Sequence, residues 1–359
     1  MPSAARGAFF CGGLLALSLL SHCASVWKGE PTDHFDGARF HSIEPVRHSL
    51  GDWLRREATR HQGPWRPFTD TPPGPAPADR VADGVLRVTL VNHSTVLIQM
   101  DGVNVLLDPT WANRAVPVLG ARRRRPPGLR FQDLPPIDAV LLSHDHHDHM
   151  DLPTLHRLVQ TREPLLVAGL GTAAYLRSKG IAGGKDLDWW QSVALAPGVR
   201  VTAVPARHSS GRSMFDRNRR LWCGFVLTGP SGSVYYSGDT GWGSHFAMIA
   251  ERFPHLRLAL LPIGGFVPIW YMHQQHMSPR DAVRAAAVLR PGTAIPMHFG
   301  TFPQSDDAED EPLRDLRAAL IEAGEPGPTF AVLDNGQSLD VPFPEPVPAF
   351  ETALCLRSE

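Results

Sequence analysis

Cysteine is scarce in this chain, which has four cysteines among 359 residues. Cys11 and Cys23 lie near the amino terminus, whereas Cys223 and Cys355 are far apart in the sequence. Two distant cysteines carry no spacing pattern, so the sequence predicts no disulfide framework. A bond between Cys223 and Cys355 and two free buried thiols both stay open as alternatives.

The chain also has little net charge, −1 at pH 7, and its pI is about 7.0. This balance gives no indication of nucleic-acid binding or of an acidic tail, so any attraction to anions has to be local. One local feature is the basic run of four arginines at residues 122–125. It has two interpretations, a contact with anionic lipid headgroups or a solvated loop that needs no partner.

The apolar run at residues 8–20 is shorter than the roughly 20 residues that a membrane-spanning helix needs. It follows Arg6 and precedes small residues, so residues 1–25 resemble a secretory signal peptide, with an uncleaved anchor as the alternative. We therefore expect an exported protein, either periplasmic or membrane-anchored. Leu20-Ser21-His22-Cys23 also resembles a lipoprotein signal with Cys23 as the acylated residue, although His22 stands where a small residue is expected.

Apolar runs typical of strands recur from Leu86 onward, and helical patterns lie between some of them. The predicted strands are 86–91, 95–99, 103–107, 139–142, 165–167, 199–204, 222–227, 234–236, 258–261 and 293–297. The predicted helices are 152–160 with Asp151 as its cap, 282–289 after a capping-box start at Ser278, and 313–323, which ends at Gly324. Strand groups followed by helices, twice over, predict an α/β fold of two mixed β-sheets packed together and flanked by helices.

This pattern defines a single domain over residues 84–341. The preceding residues, 26–83, have few apolar runs and many prolines, and they are predicted to be an arm or linker. Residues 342–359 begin with a proline-rich stretch and are predicted to be a carboxy-terminal strap.

The most distinctive segment has the spacing His-x-His-x-Asp-His, carried by His144, His146, Asp148 and His149. An apolar run, 137–142, comes directly before it, so the polar cluster falls on the loop that leaves a buried strand. Imidazole nitrogens suit zinc, copper, iron or nickel, and a carboxylate beside them fits Zn²⁺ better than Mg²⁺ or Ca²⁺, which favour oxygen ligands. The segment therefore predicts a metal site rather than a solvated histidine-rich loop.

Three further apolar runs each end in a residue that can bind a metal. These residues are His208, Asp239 and His298. A lone His or Asp after a strand is more often a cap or turn residue. Together with the first loop, however, the three residues predict a dinuclear site, which needs about six or seven protein ligands.

The motifs and their order resemble the metallo-β-lactamase superfamily, whose fold is an αβ/βα sandwich with metals at one edge between the sheets. The resemblance implies that His144, His146 and His208 hold one zinc ion. It implies that Asp148, His149 and His298 hold the second, and that Asp239 bridges the two and serves in catalysis. Asp145 and His147 fill variable positions and receive no ligand role.

Further stretches resemble the branch of phospholipases D that hydrolyse N-acyl-phosphatidylethanolamine. They are Asn92-His93-Ser94-Thr95-Val96 with Leu107-Asp108-Pro109, residues 135–140, Phe215-Asp216-Arg217-Asn218 with Leu221-Trp222, and Gln275-His276 ahead of 298–302. The resemblance implies a phosphodiesterase that releases phosphatidate and an N-acylethanolamine, with two Zn²⁺ ions sharing the attacking hydroxide. A lactonase or a soluble phosphodiesterase on the same scaffold is the alternative enzyme, and a zinc-binding envelope protein is the non-enzymatic alternative.

Two kinds of residue outside the ligand set are expected to contact substrate. His276 is expected to orient the phosphate or to protonate the leaving group, with Gln275 as a second helper. The adjacent loop 264–272 is too rich in glycine and aromatic residues for an ordinary helix or strand. Its apolar side chains are expected to contact acyl chains or a membrane surface, and packing in the core is the alternative. These side chains are Phe266, Ile269, Trp270, Tyr271 and Met272. The expected partners are a phospholipid or other phosphodiester, a peripheral membrane contact and a second copy in a homodimer.

Overall fold

The computed structural model describes residues 27–213 and 215–343, which contain thirteen strands in two mixed sheets. The strands are β1 (Leu86–Asn92), β2 (Thr95–Met100), β3 (Val103–Leu107), β4 (Ala139–Leu142), β5 (Leu165–Gly169), β6 (Gly184–Leu187), β7 (Ser192–Ala196), β8 (Val199–Val204), β9 (Gly224–Gly229), β10 (Gly232–Tyr236), β11 (Leu256–Pro262), β12 (Thr293–Met297) and β13 (Ser338–Asp340). One sheet has the order β13-β1-β2-β3-β4-β5-β6, and the other has the order β12-β11-β10-β9-β8-β7.

Seven α-helices and one 3₁₀ helix (Phe131–Asp133) accompany the sheets within the described ranges. The α-helices are α1 (Leu50–Ala58), α2 (Leu152–Arg162), α3 (Thr172–Ser178), α4 (His245–Arg252), α5 (Ile269–Met272), α6 (Pro279–Leu289) and α7 (Glu311–Ala323). None of these helices has the length and apolar character needed to traverse a bilayer.

The buried side chains form three layers of core, one between the two sheets and one beneath the helices on each outer face. The central layer lies between the sheets and joins residues such as Val105 of β3 and Phe225 of β9. A second layer joins one sheet to α4, α6 and α7, and a third joins the other sheet to α2 and α3. The arrangement is an αβ/βα sandwich, which confirms the predicted fold class.

Strand β11 shows why several of these segments are apolar throughout. Leu258 and Leu260 enter the layer between the sheets, whereas Ala259 and Leu261 enter the layer beneath the helices. Successive side chains of a strand point to opposite faces, and both faces of this sheet are covered. A continuous apolar run is therefore the expected sequence of such a strand.

Most predicted elements are confirmed, and four strands have the predicted bounds: β3, β4, β8 and β12. The strand predicted at 222–227 is displaced, since β9 begins at Gly224. The start of α6 is confirmed, because Ser278 and Asp281 form the complete capping box. Asp151 is the N-cap residue of α2, as predicted, although its carboxylate accepts from the Thr154 hydroxyl (2.6 Å) rather than from a backbone N–H of the first turn.

Other elements were not predicted from the sequence, namely β6, β7, β13, α1, α3, α4 and α5. Strands β6, β7 and β13 are at sheet edges and are largely half-buried or exposed, so their sequences lack a strong apolar pattern. The loop predicted at 264–272 is partly wrong, because its last four residues form the single turn α5.

The segment before β1 runs along the domain surface. Its early part places Phe35 and Phe40 in the central core, and His34 Nε2 lies 2.8 Å from an Asp188 oxygen. Further along, the Trp65 indole donates to the carbonyl of Asp307 (2.8 Å). The predicted signal peptide 1–25, with Cys11 and Cys23, lies outside the described residues. The same is true of Cys355 and of the strap beyond residue 343, so the choice between a bond to Cys355 and a free thiol at the buried Cys223 stays untested.

Candidate metal centre

The histidines and aspartates singled out from the sequence meet at one edge of the sandwich, where β4, β8, β10 and β12 end. His144, His146 and His208 form one group there, and their imidazole nitrogens lie within 4.8 Å of one another. His146 Nδ1 is 2.9 Å from His144 Nε2 and 3.2 Å from His208 Nε2. Two of these histidines come from the loop after β4, and the third follows β8 on the opposite sheet.

A second group forms beside the first from Asp148, His149 and His298, with His93 as a fourth member. Asp148 and His149 come from the same loop as the first group, and His298 follows β12. His298 has a left-handed backbone (φ 61°), and a Cβ on Gly264 would stand only 2.0 Å from its carbonyl oxygen. Glycine at position 264 is therefore required for the end of β11 to approach this residue.

Asp239, which follows β10, lies between the two groups. Its Oδ2 is 3.1 Å from His149 Nε2 and 3.2 Å from His298 Nε2. The same oxygen is 3.9 Å from His144 Nε2 and from His208 Nε2. One carboxylate oxygen is thus surrounded by imidazoles from both groups, so Asp239 could contact a cation held by either group.

Several polar atoms in this cluster are buried without a hydrogen-bond partner in the described structure. They are Asp239 Oδ1, His149 Nε2, His276 Nδ1 and both ring nitrogens of His298. Leaving buried polar groups unpaired costs free energy, and native proteins rarely do so without a reason. A bound cation would satisfy such atoms, so the residues fit a metal site.

The pKa values of the imidazoles also suit metal binding. Burial lowers the pKa of His144, His146 and His208, so these imidazoles are neutral near pH 7 and offer their lone pairs. Burial alone would also lower the pKa of His149, but the Asp239 and Asp148 carboxylates raise it well above its usual value. Around Asp239 the cluster therefore stabilises positive charge, whether it is carried by a proton or by a metal ion.

Asp108 fixes the orientation of His149 from behind, a role that was not predicted from the sequence. Its carboxylate is fully buried and accepts hydrogen bonds from the Ser143 backbone (2.7 Å) and the Tyr236 hydroxyl (2.6 Å). It also lies 2.7 Å from His149 Nδ1, which directs Nε2 of that ring towards Asp239. A carboxylate behind a histidine is the usual partner of a metal-binding imidazole.

His93 is a second residue whose place in the site was not predicted. Its Nε2 lies 3.2 Å from Asp148 Oδ2, and its ring centroid is 4.0 Å from that of His298. Burial lowers its pKa to about 3. The Gln304 amide donates to the same Asp148 oxygen (2.8 Å), so His93 and Gln304 together hold this carboxylate in place. The sequence feature that could have indicated this role is the position of His93 directly after strand β1.

The two residues of the loop without a predicted ligand role are bonded to other groups. Asp145 forms an ion pair with the buried Arg220 and accepts from the Gly211 backbone (2.6 Å). His147 Nδ1 lies 2.8 Å from a guanidinium nitrogen of Arg212. Arg212 also donates to the carbonyls of Asp145 and Met150 (both 2.8 Å), so it braces the loop that carries four of the candidate ligands.

His276 and Gln275 lie beside the first group. His276 Nδ1 is 3.9 Å from Asp239 Oδ2, and burial lowers the pKa of this histidine to about 4. The Gln275 carbonyl lies 3.0 Å from His208 Nδ1, and its side-chain oxygen accepts from the Ser209 hydroxyl (2.9 Å). Gln275 therefore positions His208.

Two cavities reach the cluster and share His146, Met272 and His276 in their walls. One, of about 430 Å³, contains Asp148, Asp239 and His298, and the other, of about 450 Å³, is lined by His48 and Tyr271. Among the other apolar residues predicted to contact substrate, Trp270 is 36% exposed, whereas Phe266 is only 3% exposed and lines neither cavity.

A family model described as a beta-lactamase superfamily domain matches residues 103–299, which include all seven of the ligands predicted from the sequence. The chain belongs to this superfamily. An uncharacterized protein of Mycobacterium tuberculosis is 40% identical over 264 residues, which cover 71% of this chain and 68% of the relative. The N-acyl-phosphatidylethanolamine-hydrolyzing phospholipase D 1 of Caenorhabditis elegans is 33% identical over 266 residues, with coverage of 70% and 75%.

Solved structures of this superfamily share the fold. Igni18, a metallo hydrolase from Ignicoccus hospitalis, superimposes with a TM-score of 0.55 at 23% identity, covering 71% of this chain and 97% of its own. The family model and the sequence relatives confirm the family resemblance predicted from the sequence. With the converging histidines and aspartates, membership identifies the chain as a metal-dependent hydrolase of the metallo-β-lactamase fold.

Proposed function

We propose that this superfamily member is a dinuclear zinc phosphodiesterase of phospholipase D type. Its substrate would be an N-acyl-phosphatidylethanolamine or a related phospholipid, and its products phosphatidate and an N-acylethanolamine. The observation that carries the proposal is the single carboxylate of Asp239 between two groups of imidazoles. The nematode relative with the corresponding activity supports the choice of substrate.

The chain offers two sets of ligands for the two ions. His144, His146 and His208 would hold one ion, and Asp148, His149 and His298 would hold the other, with Asp239 in contact with both. Imidazoles with carboxylates favour zinc over the harder cations that prefer oxygen. When bound, two zinc ions would act as Lewis acids towards the phosphodiester and make water nucleophilic near neutral pH.

His276 would orient the phosphate. Because burial lowers its pKa to about 4, its imidazole is neutral at pH 7 and is a poor source of a proton for the leaving group. A neutral imidazole still donates one N–H, and its ring stands in the wall of both cavities. The orienting role is therefore better supported than the general-acid role.

The cavities are of a size for the lipid headgroup. Pockets of about 300–1,000 Å³ hold drug-sized ligands. A phospholipid with its acyl chains is larger than such a ligand, so cavities of about 430 and 450 Å³ do not enclose it. Tyr271 and Met272 would contact the glycerol region or the start of a chain, and Trp270 would contact it from the rim. The buried Phe266 would support this loop from beneath.

The test is product identification by mass spectrometry after the zinc-loaded protein is incubated with a mixed phospholipid extract. We expect phosphatidate and N-acylethanolamines to appear together. Hydrolysis of bis-p-nitrophenyl phosphate without any lipid product would favour a soluble phosphodiesterase. Hydrolysis of lactones alone would favour a lactonase.

We also propose that the protein is exported, because residues 1–25 resemble a signal peptide. Cell fractionation with an antibody to the domain tests this proposal. Recovery of the protein in the cytosol alone, with its amino terminus intact, would contradict it.

A further inference from the structure

Helix α1 has an exposed apolar face. The helix is well formed, since Ser49 and Asp52 make a complete capping box at its start, yet none of its nine residues is buried. Leu50, Trp53 and Leu54 recur at helical spacing and are 72%, 48% and 53% exposed. Residues three and four apart lie on one side of a helix, so these side chains form a single apolar stripe facing solvent.

The short helix α5 extends this stripe towards the metal centre. The Arg55 guanidinium lies 4.5 Å over the Trp270 ring, and the rings of His48 and Tyr271 stack at 4.1 Å. On α5 itself, Ile269 is 57% exposed and Trp270 is 36% exposed. We call the combined area the apolar surface; it consists of Leu50, Trp53, Leu54, Ile269 and Trp270.

This surface lies at the mouth of the 450 Å³ cavity. His48, which immediately precedes the cap of α1, and Tyr271 of α5 both line that cavity, whose wall also contains His146 and His276. Two hydrogen bonds between Arg47 and Gln274 (2.7 and 3.1 Å) hold the start of α1 against the residues that follow α5. Whatever covers the apolar surface therefore stands next to the entrance of the site.

Arginines outnumber carboxylates around the apolar surface, because Arg47 and Arg217 lie beside a helix that has two arginines and two acids. Arg47, Arg55 and Arg217 have no carboxylate within 4.0 Å in the part of the chain that the structure describes. Of the nearby acids, Glu57 pairs with Arg56, and Asp52 keeps its negative charge while it accepts from Ser49 in the cap. Unpaired arginines beside exposed apolar groups fit a surface that is both apolar and anionic.

We propose that the apolar surface docks on a lipid bilayer that contains anionic lipids, which places the mouth of the cavity at the level of the headgroups. Tryptophan is favoured at this level, and an amphipathic helix lies in its plane. The proposal rests on the proposed lipid substrate and deepens it. N-acylation removes the positive charge of the ethanolamine nitrogen, so such a substrate keeps only the negative charge of its phosphodiester, which the arginines would attract.

The test compares the full-length protein with a triple variant, Leu50→Ser, Trp53→Ser and Leu54→Ser. Ile321→Ser is the matched control, because Ile321 is 82% exposed on α7 and belongs to no part of the apolar surface. Co-sedimentation is measured with vesicles of phosphatidylcholine plus phosphatidylglycerol and with vesicles of phosphatidylcholine alone. Loss of three large apolar contacts should weaken binding at least about tenfold.

A second measurement reports on α1 directly. Brominated phospholipids quench nearby tryptophans, so the wild-type protein should be quenched more than Trp53→Phe, even if another segment also binds the vesicle. Hydrolysis of bis-p-nitrophenyl phosphate and the circular dichroism spectrum should not change in the triple variant. These two controls separate failure of docking from failure of the proposed chemistry.

Equal vesicle binding by the triple variant and by the wild type, together with equal quenching in Trp53→Phe, would overturn the proposal. A change from dimer to monomer in light scattering, with vesicle binding retained, would also overturn it. That second result would assign the apolar surface to a second copy of the chain.

Discussion

At the scale of single residues, the site depends on carboxylates that hold imidazoles in defined orientations. Asp239 lies on one side of His149 and Asp108 on the other, so both ring nitrogens of that histidine are 3.1 Å or less from an oxygen. His208 is held in the same way by the Gln275 carbonyl. These two imidazoles are thus fixed before any ligand arrives, which reduces the cost of ordering them on binding.

Replacing Asp108 by Asn is expected to weaken zinc binding by about 10- to 100-fold. The amide would remove the charge behind His149 and could not accept from all of its present donors. Competition with a zinc-binding dye measures the affinity. Asp101→Asn is the control, because Asp101 also accepts from a serine, Ser231, but lies away from the ligands. Equal zinc affinity in Asp108→Asn and wild type would show that His149 is not oriented through Asp108.

Replacing His276 by Ala is expected to lower kcat for a phosphodiester by about 10²- to 10⁴-fold if the imidazole contacts the reacting phosphate. The zinc content should stay the same, because six other side chains and Asp239 hold the two ions in this proposal. His273→Ala is the control, since His273 is exposed and lies one turn earlier. Loss of zinc from His276→Ala would instead make His276 a ligand, as its position near His208 and Asp239 allows.

The residues that could be predicted from the sequence are those that a motif or a strand end marks. The spacing at 144–149 and the single residues after β8, β10 and β12 were sufficient to identify the candidate ligands, which the structure places together. Asp108 and His93 also follow strands, but an isolated Asp or His there has the same local sequence as a turn residue. Their roles depend on contacts with β4 and β12, which no local pattern contains.

At the scale of elements, the two capping boxes show how the same local chemistry serves different purposes. Ser278 starts α6, a helix with six buried residues that packs against β11 and α7. Ser49 starts α1, a helix with none. The free energy from a cap adds to the stability of the whole domain only if the helix cannot unfold separately.

Ser278→Ala is therefore expected to lower the free energy of unfolding by about 1 kcal/mol. Ser49→Ala is the matched variant, and its effect on global unfolding should be much smaller, because α1 can lose its structure while the core stays folded. Urea denaturation followed by tryptophan fluorescence measures both changes. Equal losses would mean that α1 unfolds only together with the core.

The elements also show where sequence prediction fails. Strands covered on both faces were found because they are apolar throughout, and β3, β4, β8 and β12 had the predicted bounds. Edge strands such as β6 and β7 bury few side chains, so their sequences are not constrained in the same way. Helix α1 carried its capping box in the sequence, but its short apolar stripe has no core to face.

At the scale of the whole molecule, the amino-terminal segment supports the metal site from outside the sandwich. Gln62 donates to the carbonyl of Pro303 (2.9 Å), and Arg66 pairs with Glu309 (2.8 Å). Between these contacts lies Gln304, whose amide bonds to Asp148 in the site. The segment before β1 therefore stabilises a loop that touches a candidate ligand, and its packing is part of the construction of the site.

Removal of the metal is expected to destabilise the entire domain. The site collects residues from both sheets, so a bound ion would connect loops that unfolding separates. A ligand that binds only the folded state adds about 2.7 kcal/mol at a concentration one hundred times its Kd. Calorimetry before and after treatment with a chelator should therefore show a melting temperature that is lower by several degrees.

Re-addition of zinc should restore the melting temperature and activity together, whereas magnesium should restore neither. Magnesium keeps most of its water and prefers oxygen ligands, and the site offers mainly imidazole nitrogens. The order of recovery is informative as well. If one equivalent of zinc restores the stability and a second is needed for activity, the two groups around Asp239 fill in sequence. An unchanged melting temperature after verified removal of metal would contradict the view that a cation links the two sheets at this edge.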